Sequence, residues 1–175
     1  MSPSPFISSL IKLALAAGRE IMSIYAEPFT ARQKADLSPV TAADELAERI
    51  ILSGLAEIDP ATPVVAEEAA SAGRVPAVAS RFYLVDPLDG TKEFISRNGE
   101  FTVNIALIAD GMPQAGVVFA PALRRLFWGE AGIGAAQGQF EAVAPPVWSP
   151  MHVRTPPPKG QIVVASRSHC DVETQ

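Results

Sequence analysis

The sequence predicts an α+β fold in which N-terminal helices pack on a mainly antiparallel sheet. Two amphipathic segments come first, and short β-rich runs separated by glycine, proline or Asp-Gly turns follow them. That order of elements is typical of a layered α+β domain. The chain has 175 residues, of which 48% are hydrophobic, so it can bury a core.

Two helices are predicted in the first 60 residues. In residues 6–25 the apolar side chains recur at the spacing of one helix face, and charged residues interrupt the stretch too often for a signal sequence. The second helix is predicted to begin near Thr41, because residues 41–44 match a capping box with Asp44 in place of the usual glutamate. The apolar series of the first helix is Phe6, Leu10, Leu13, Ala17, Ile21 and Ile24, and that of the second is Leu46, Ile50, Leu55 and Ile58.

The rest of the chain favours strands. Short buried strands are predicted over residues 63–66 and 82–85, and a hairpin is predicted from residues 101–109 to residues 115–120. Further strands are expected near residues 126–128 and 133–136. Because residues 155–160 form a stiff Pro-rich connector, we predict one domain over residues 1–155 and, over residues 156–175, a linker and the first strand of a second domain.

Composition argues against several classes of protein. A net charge of −5, without a dense run of Lys or Arg, gives no reason to expect binding to nucleic acid polymers or anionic membranes. No transmembrane segment is predicted. Cys170 is the only cysteine, which excludes an intramolecular disulfide and a cysteine-based zinc cluster, so a cytoplasmic location is predicted.

The segment at residues 85–91 carries the strongest chemical signal. A predicted strand delivers Asp86 to its end, and Pro87 is predicted to stop that strand because proline has no N–H to donate. Where the chain then turns, the Asp86 carboxylate, the Leu88 carbonyl and the Asp89 carboxylate can surround a common point. Such hard oxygen atoms suit Mg²⁺. An ordinary turn stays open as the alternative, since Asp-Pro and Asp-Gly are common turn dipeptides.

A second predicted strand ends in paired carboxylates. The strand over residues 63–66 leads into Glu67 and Glu68, and two neighbouring strands could bring Glu67 beside Asp86. Carboxylates that close together repel each other unless a cation lies between them. The alternative for the glutamate pair is a solvated surface position.

The residues after Asp89 favour an anion. Gly90 has no side chain to block a ligand, and Thr91 is predicted to begin a short helix over residues 91–95. The free amides at a helix N-terminus favour phosphate. Together these features predict a magnesium-dependent phosphate site.

The motifs resemble those of the inositol monophosphatase superfamily of metal-dependent, lithium-sensitive phosphatases. The Asp-Pro-Leu-Asp-Gly-Thr element at residues 86–91 marks the superfamily, and the Lys-Glu-Phe-Ile continuation and the Ser-Arg-Ser-His element at residues 166–169 resemble its 3′(2′),5′-bisphosphate nucleotidase branch. The resemblance extends to residues 34–44, 67–68 and 92–107. It implies the layered α/β sandwich of this superfamily and removal of the 3′-phosphate of adenosine 3′,5′-bisphosphate to give AMP, in sulfur assimilation.

The resemblance also implies a role for each site residue. Two or more Mg²⁺ ions would be held by Glu67, Asp86, Leu88 and Asp89. Glu67 and the Thr91 hydroxyl would orient or deprotonate the attacking water. Substrate would be contacted by Glu67, Leu88, Asp89, Gly90, Thr91, Ser166, Arg167, Ser168 and His169. Lys34, Asp44 and Glu68 would surround the metal ligands, although Lys34 alone would also suit a solvated loop and Asp44 a helix cap.

One family feature has no counterpart here. Members of the superfamily also resemble each other in a C-terminal half with a Trp-Asp motif, whose aspartate completes the second metal site, and this sequence has no Trp-Asp pair. We therefore expect the chain to be an N-terminal portion, whose exposed edge favours a homodimer. Two alternative functions stay open: a superfamily phosphatase acting on inositol monophosphate or fructose 1,6-bisphosphate, and a catalytically silent module that binds metal or phosphate.

Overall fold

The computed structural model describes residues 2–34, 39–77, 79–140 and 146–158, together with Gly160 and Val164. Its architecture confirms the predicted α+β class: two long helices pack on a seven-stranded mixed sheet. The Ser-Arg-Ser-His element at residues 166–169 and most of the linker and strand predicted over residues 156–175 lie outside the described residues. In the described part of the chain, no helix is long and apolar enough to cross a membrane.

The helices begin where their capping residues predict. Ser4 caps the first helix by accepting from the Ile7 amide, and Thr41 caps the second through a capping box with Asp44. The apolar series read from the sequence is buried in part: the buried members are Leu10, Ala17, Ile21 and Leu55, and the other members are only partly buried. On the second helix, Ala43, Asp44 and Ala47 also face inward. The helices are α1 (Pro5–Ala26), α2 (Ala42–Ile58), α3 (Glu67–Ser71) and α4 (Thr91–Ile95).

The main sheet follows chain order. Its strands are β3 (Val64–Ala66), β4 (Arg81–Asp89), β5 (Thr102–Ala109), β6 (Met112–Ala120), β7 (Arg125–Glu130), β8 (Gly134–Gln139) and β9 (Ser149–Met151). Every neighbouring pair is antiparallel except β3 and β4, which are parallel. A separate antiparallel pair joins β1 (Ala31–Gln33) to β2 (Pro39–Thr41).

The prediction that Pro87 stops its strand was wrong, because β4 continues to Asp89. Asp86 pairs with Asn104 and Asp89 pairs with Thr102, so three steps along β4 match two steps along β5. The extra residue makes a β-bulge, where a strand can accept a proline because one position lacks a ladder bond. The bulge keeps the acidic segment attached to the sheet.

One core joins the helices to the sheet. Leu10 and Ile21 of α1, Ile51 of α2 and strand residues such as Val85 and Ile105 are buried in a single cluster. The buried side of α2 also carries two acids, Asp44 and Glu48. Acids are rarely buried without partners, so the groups that bond Asp44 and Glu48 are described with the site below.

Candidate active site

The parallel pairing of β3 with β4 sets the position of the central carboxylates. Ala66 pairs with Val85, so Glu67, which directly follows β3, and Asp86, which is the next residue of β4, come side by side. The side chains of Glu67 and Asp86 lie close enough for the charge of Glu67 to disfavour that of Asp86. The structure therefore brings together the two carboxylates that the sequence placed at neighbouring strand ends.

Asp86 lies in an environment that disfavours its charge. Burial raises the pKa of its carboxyl to about 8, and the negative charges of Glu67 and Asp89 add to the rise. Its Oδ1 atom is buried and has no hydrogen-bond partner within the described ranges. A buried carboxylate oxygen without a donor is costly unless a proton or a cation is supplied.

Lys34 supplies positive charge beside this pair. Its Nζ atom lies 2.7 Å from Glu67 Oε1 and 2.7 Å from Glu68 Oε1, and the Lys34 side chain is only 9% exposed. Burial opposes the charged ammonium, but the two hydrogen bonds and the two negative charges outweigh it and raise the pKa of Lys34. The structure thus places Lys34 at the site and away from open solvent.

Asp44 connects its helix cap to Thr91. Its Oδ2 atom accepts from the Thr41 amide at 2.8 Å and from the Thr41 hydroxyl at 2.7 Å. Its Oδ1 atom accepts from Thr91 Oγ1 at 3.0 Å, and the same hydroxyl lies 3.3 Å from the Leu88 carbonyl. Burial raises the pKa of the Asp44 carboxyl, while the bonds from Thr41 and Thr91 oppose the rise. Asp44 is therefore both a helix cap and a partner of Thr91.

Asp89 and Gly90 form the outer part of the site. Asp89 is exposed and its Oδ2 atom accepts from Asn104 Nδ2 at 3.1 Å. Gly90 has a φ of 94°, and a Cβ atom there would lie 3.0 Å from the Glu100 carbonyl oxygen. Only glycine fits that combination of left-handed backbone and close approach.

Arg97 anchors the turn that follows α4. Its guanidinium donates to the carbonyls of Tyr25 and Glu27 at the end of α1, the latter at 2.7 Å. It also lies over the rings of Tyr25 and Phe29, at 5.4 and 5.1 Å from their centroids. Because Phe94 of α4 packs on both rings, α4 is fixed to the end of α1.

Comparison with known proteins identifies the family. The sequence profile of the inositol monophosphatase family matches residues 2–175. The chain belongs to the inositol monophosphatase family. The 3′(2′),5′-bisphosphate nucleotidase CysQ of Salmonella typhimurium is 46% identical over 169 residues, which cover 95% of this chain and 65% of that protein. The chain thus spans about two thirds of the length of such relatives.

Solved structures of this family share the fold. CysQ from Bacteroides thetaiotaomicron superposes with a TM-score of 0.71 at 36% identity, covering 96% of this chain and 65% of that one. The extragenic suppressor protein suhB from Bartonella henselae superposes with a TM-score of 0.66 at 31% identity, covering 75% and 50% of the two chains. Both are crystal structures, and both agree with the sheet and helices described above.

The donor atoms fit the divalent cation expected in this family. Glu67, Asp86 and Asp89 carry carboxylates and Leu88 offers a carbonyl, which are the hard oxygen ligands that Mg²⁺ prefers. The unpartnered Asp86 Oδ1 marks the position where a cation would relieve the electrostatic cost. In the ranges that the structure describes, no three Asp, Glu, His or Cys side chains form a complete ion site. Lys34 holds Glu67 and Asn104 holds Asp89 instead.

Sequence reasoning missed two polar residues that contact the candidate site. Glu48 accepts from the Glu68 amide at 2.8 Å, and Asn104 lies opposite Asp86 on β5 while it donates to Asp89. Glu48 follows Asp44 by four residues, so the two lie on one helix face, and that spacing could have identified it. The position of Asn104 follows from the strand register, which the bulge shifts.

Proposed function

We propose that the chain carries the metal and phosphate site of a Mg²⁺-dependent phosphomonoester hydrolase that removes the 3′-phosphate of adenosine 3′,5′-bisphosphate to give AMP. The observation that supports it most is the approach of Glu67 to Asp86 beside the parallel pair β3 and β4, where Asp86 Oδ1 has no partner among the described residues. The similarity to CysQ nucleotidases supports this substrate class. Because those relatives are longer, the activity of the whole protein belongs to the proposal.

The acidic residues would hold the ions. Glu67, Asp86, Asp89 and the Leu88 carbonyl would be the ligands of two or more Mg²⁺ ions. Bound Mg²⁺ would neutralise charge on the phosphate and activate water. The lysine beside Glu67 would keep that carboxylate ionised, since a neighbouring ammonium favours the charged form.

Thr91 and Asp44 would remove a proton from the attacking water. Thr91 Oγ1 donates to Asp44 Oδ1, so the lone pairs of the hydroxyl oxygen are free to accept a proton from a water on the other side. The buried Asp44 carboxyl, whose pKa is raised, is suited to take the threonine proton. Glu67 would orient the same water. This arrangement would direct the water toward the phosphorus atom.

Substrate contacts complete the proposal. The amides of Gly90 and Thr91 would bind the reacting phosphate, and Ser166, Arg167, Ser168 and His169 would grip the second phosphate or the ribose. An Arg beside two hydroxyls suits a phosphate through charge-assisted hydrogen bonds. A cytoplasmic location and a homodimer stay predictions of the same kind.

Two measurements on the same protein test the proposal. Isothermal titration calorimetry with MgCl₂ reports metal binding, and phosphate release is followed with adenosine 3′,5′-bisphosphate, inositol monophosphate and fructose 1,6-bisphosphate. We expect Mg²⁺ binding and release that is fastest with the nucleotide. Asp59→Asn is the matched control, because Asp59 is a carboxylate near the other end of β4.

Each other outcome assigns a different function. Faster release from a sugar phosphate would assign the chain to another phosphatase of the family. Mg²⁺ binding without any release would identify a silent binding module. Wild-type affinity for Mg²⁺ in Asp86→Asn would rule out Asp86 as a ligand.

A further inference from the structure

Glu48 is a buried acid that the proposed reaction does not use. It lies on the inward side of α2, one turn after Asp44, and is 5% exposed. Its Oε2 atom accepts from the Glu68 amide at 2.8 Å. Burying a carboxylate is costly, so this position requires a compensating interaction.

The compensating partner is the start of α3. This helix begins at Glu67, and its N-cap residue, Ala66, has no side chain that can bond the free amides. A helix leaves its first amides without internal partners, and an acid at that end is favourable. Burial raises the pKa of the Glu48 carboxyl, while the amides of Glu68 and Ala69 and the charge of Arg74 oppose the rise. Glu48 therefore caps α3 from another helix.

The two acids of α2 bond two different parts of the site. Asp44 accepts from Thr91, which follows β4, and Glu48 accepts from the amide after Glu67, which follows β3. Because one helix carries both acceptors, it links the two segments a second time, in addition to the pairing of β3 with β4. The ion ligands Glu67 and Asp86 belong to those two segments.

We propose that Glu48 is a positioning residue that caps α3 and thereby holds the Glu67 carboxylate in register with Asp86 and Thr91 for metal binding. This inference rests on the proposed function for its metal step. The cap itself is independent of that function. Loss of the cap frees the first turn of α3, so the direction of the Glu67 side chain is no longer fixed.

The test compares three variants by two readouts. Glu48→Ala removes the acceptor, whereas Glu48→Gln keeps a side-chain oxygen that can accept from the Glu68 amide. Ile51→Val is the control, because it shortens a buried side chain of the same helix away from α3. Hydrogen exchange of the amides at residues 68 and 69 is measured without added metal, and Mg²⁺ affinity is measured by calorimetry.

We expect faster amide exchange and about tenfold weaker Mg²⁺ binding in Glu48→Ala, because residues that support a metal ligand typically contribute that much. Glu48→Gln should stay within about threefold of wild type in Mg²⁺ affinity, since its oxygen still caps the helix. Ile51→Val should lower thermal stability and leave the Mg²⁺ affinity unchanged.

Three results would overturn the assignment. One is wild-type amide exchange in Glu48→Ala, which would show that α3 needs no cap. Another is unchanged Mg²⁺ affinity in that variant when the wild type binds the ion. The third is an affinity loss in Ile51→Val equal to that in Glu48→Ala, which would show that any loss of stability in this helix weakens Mg²⁺ binding. If the wild type binds no Mg²⁺, the proposed function fails, and amide exchange alone decides whether Glu48 caps α3.

Discussion

Two aspartates near opposite ends of β4 have opposite environments. Near its start, Asp59 Oδ2 accepts from Thr62 at 2.8 Å, from Arg81 at 3.1 Å and from the Tyr83 hydroxyl at 3.4 Å. Near its end, Asp86 Oδ1 is buried with no donor in the described part of the chain. One carboxylate has every partner that it needs, and the other faces further negative charge.

Their acidities show the same contrast. The Thr62 hydroxyl is the main cause that lowers the pKa of the Asp59 carboxyl, with Arg81 adding to it. Burial is the main cause that raises the pKa of the Asp86 carboxyl to about 8. An aspartate that stabilises the fold has donors for its carboxylate, whereas a buried aspartate whose charge is disfavoured is a candidate for function.

The largest effect on turnover is expected for a substitution of Asp86. In the active protein, Asp86→Asn should lower turnover by about 10² or more, which is about 3 kcal/mol of barrier, because the proposed metal ligand loses its charge. Initial rates of phosphate release at saturating Mg²⁺ measure it. Asp59→Asn should turn over like wild type, and equal losses in the two variants would remove the distinction between the ends of β4.

A smaller loss is expected at Thr91. Thr91→Val removes the hydroxyl that Asp44 holds, so turnover should fall about tenfold or more, or about 1.4 kcal/mol of barrier. Thr91→Ser keeps the hydroxyl and should retain most of the rate. The ratio of the two turnover numbers under the same conditions is the measurement. A valine variant as fast as the serine variant would contradict a role for this hydroxyl.

The support behind the site should matter to stability. Thr41→Ala removes the N-cap of α2 and one bond to the buried Asp44, so the free energy of unfolding should fall by about 1 kcal/mol. Chemical denaturation measures this change. Thr41→Ser keeps the hydroxyl and serves as the control, and an equal loss in both variants would mean that the methyl group, and not the cap, matters.

The smallest effect is expected for a substitution of Asp59, which should change only stability. Asp59→Asn should lower the free energy of unfolding by about 0.2–1 kcal/mol near neutral pH, because the ion pair is partly exposed. Since the pKa of Asp59 is lowered in the fold, its contribution is present above the ordinary value of 3.8 and is lost as pH falls through the folded value. Thermal unfolding of both proteins from pH 7 to pH 3 should show the difference shrinking at the acid end. A difference that grows in acid would contradict the lowered pKa.

Local patterns predicted most of the fold. The capping box at Thr41 marked the start of α2, and two β-rich runs separated by an Asp-Gly turn marked the hairpin of β5 and β6, because both are determined by neighbours in sequence. The structure also brings Glu67 beside Asp86, as the sequence predicted from two neighbouring strands. What the sequence did not show was the continuation of β4 past Pro87, since a bulge depends on the partner strand.

Contacts between distant segments were harder to predict. Lys34 reaches Glu67 over 33 positions and Glu48 reaches Glu68 over 20, and no periodicity encodes such distances. The same holds for the parallel pairing that orients β3. The acids were visible in the sequence, whereas their assignment to partners required the packing of α2 against the strand ends.

The contacts that Arg97 and the later strands make with α1 and its C-terminal end affect how the chain folds during synthesis. It bonds the carbonyl of Glu27 across 70 positions, and α1 also packs on β5, β6 and β7, all of which follow Arg97 in the chain. During synthesis on the ribosome, α1 and the neighbouring α2 therefore emerge before the three strands that cover the rest of the apolar side of α1. Non-local contacts of this kind slow folding and leave apolar surface exposed in the nascent chain. This helix is fully covered only after those later strands have been made and paired.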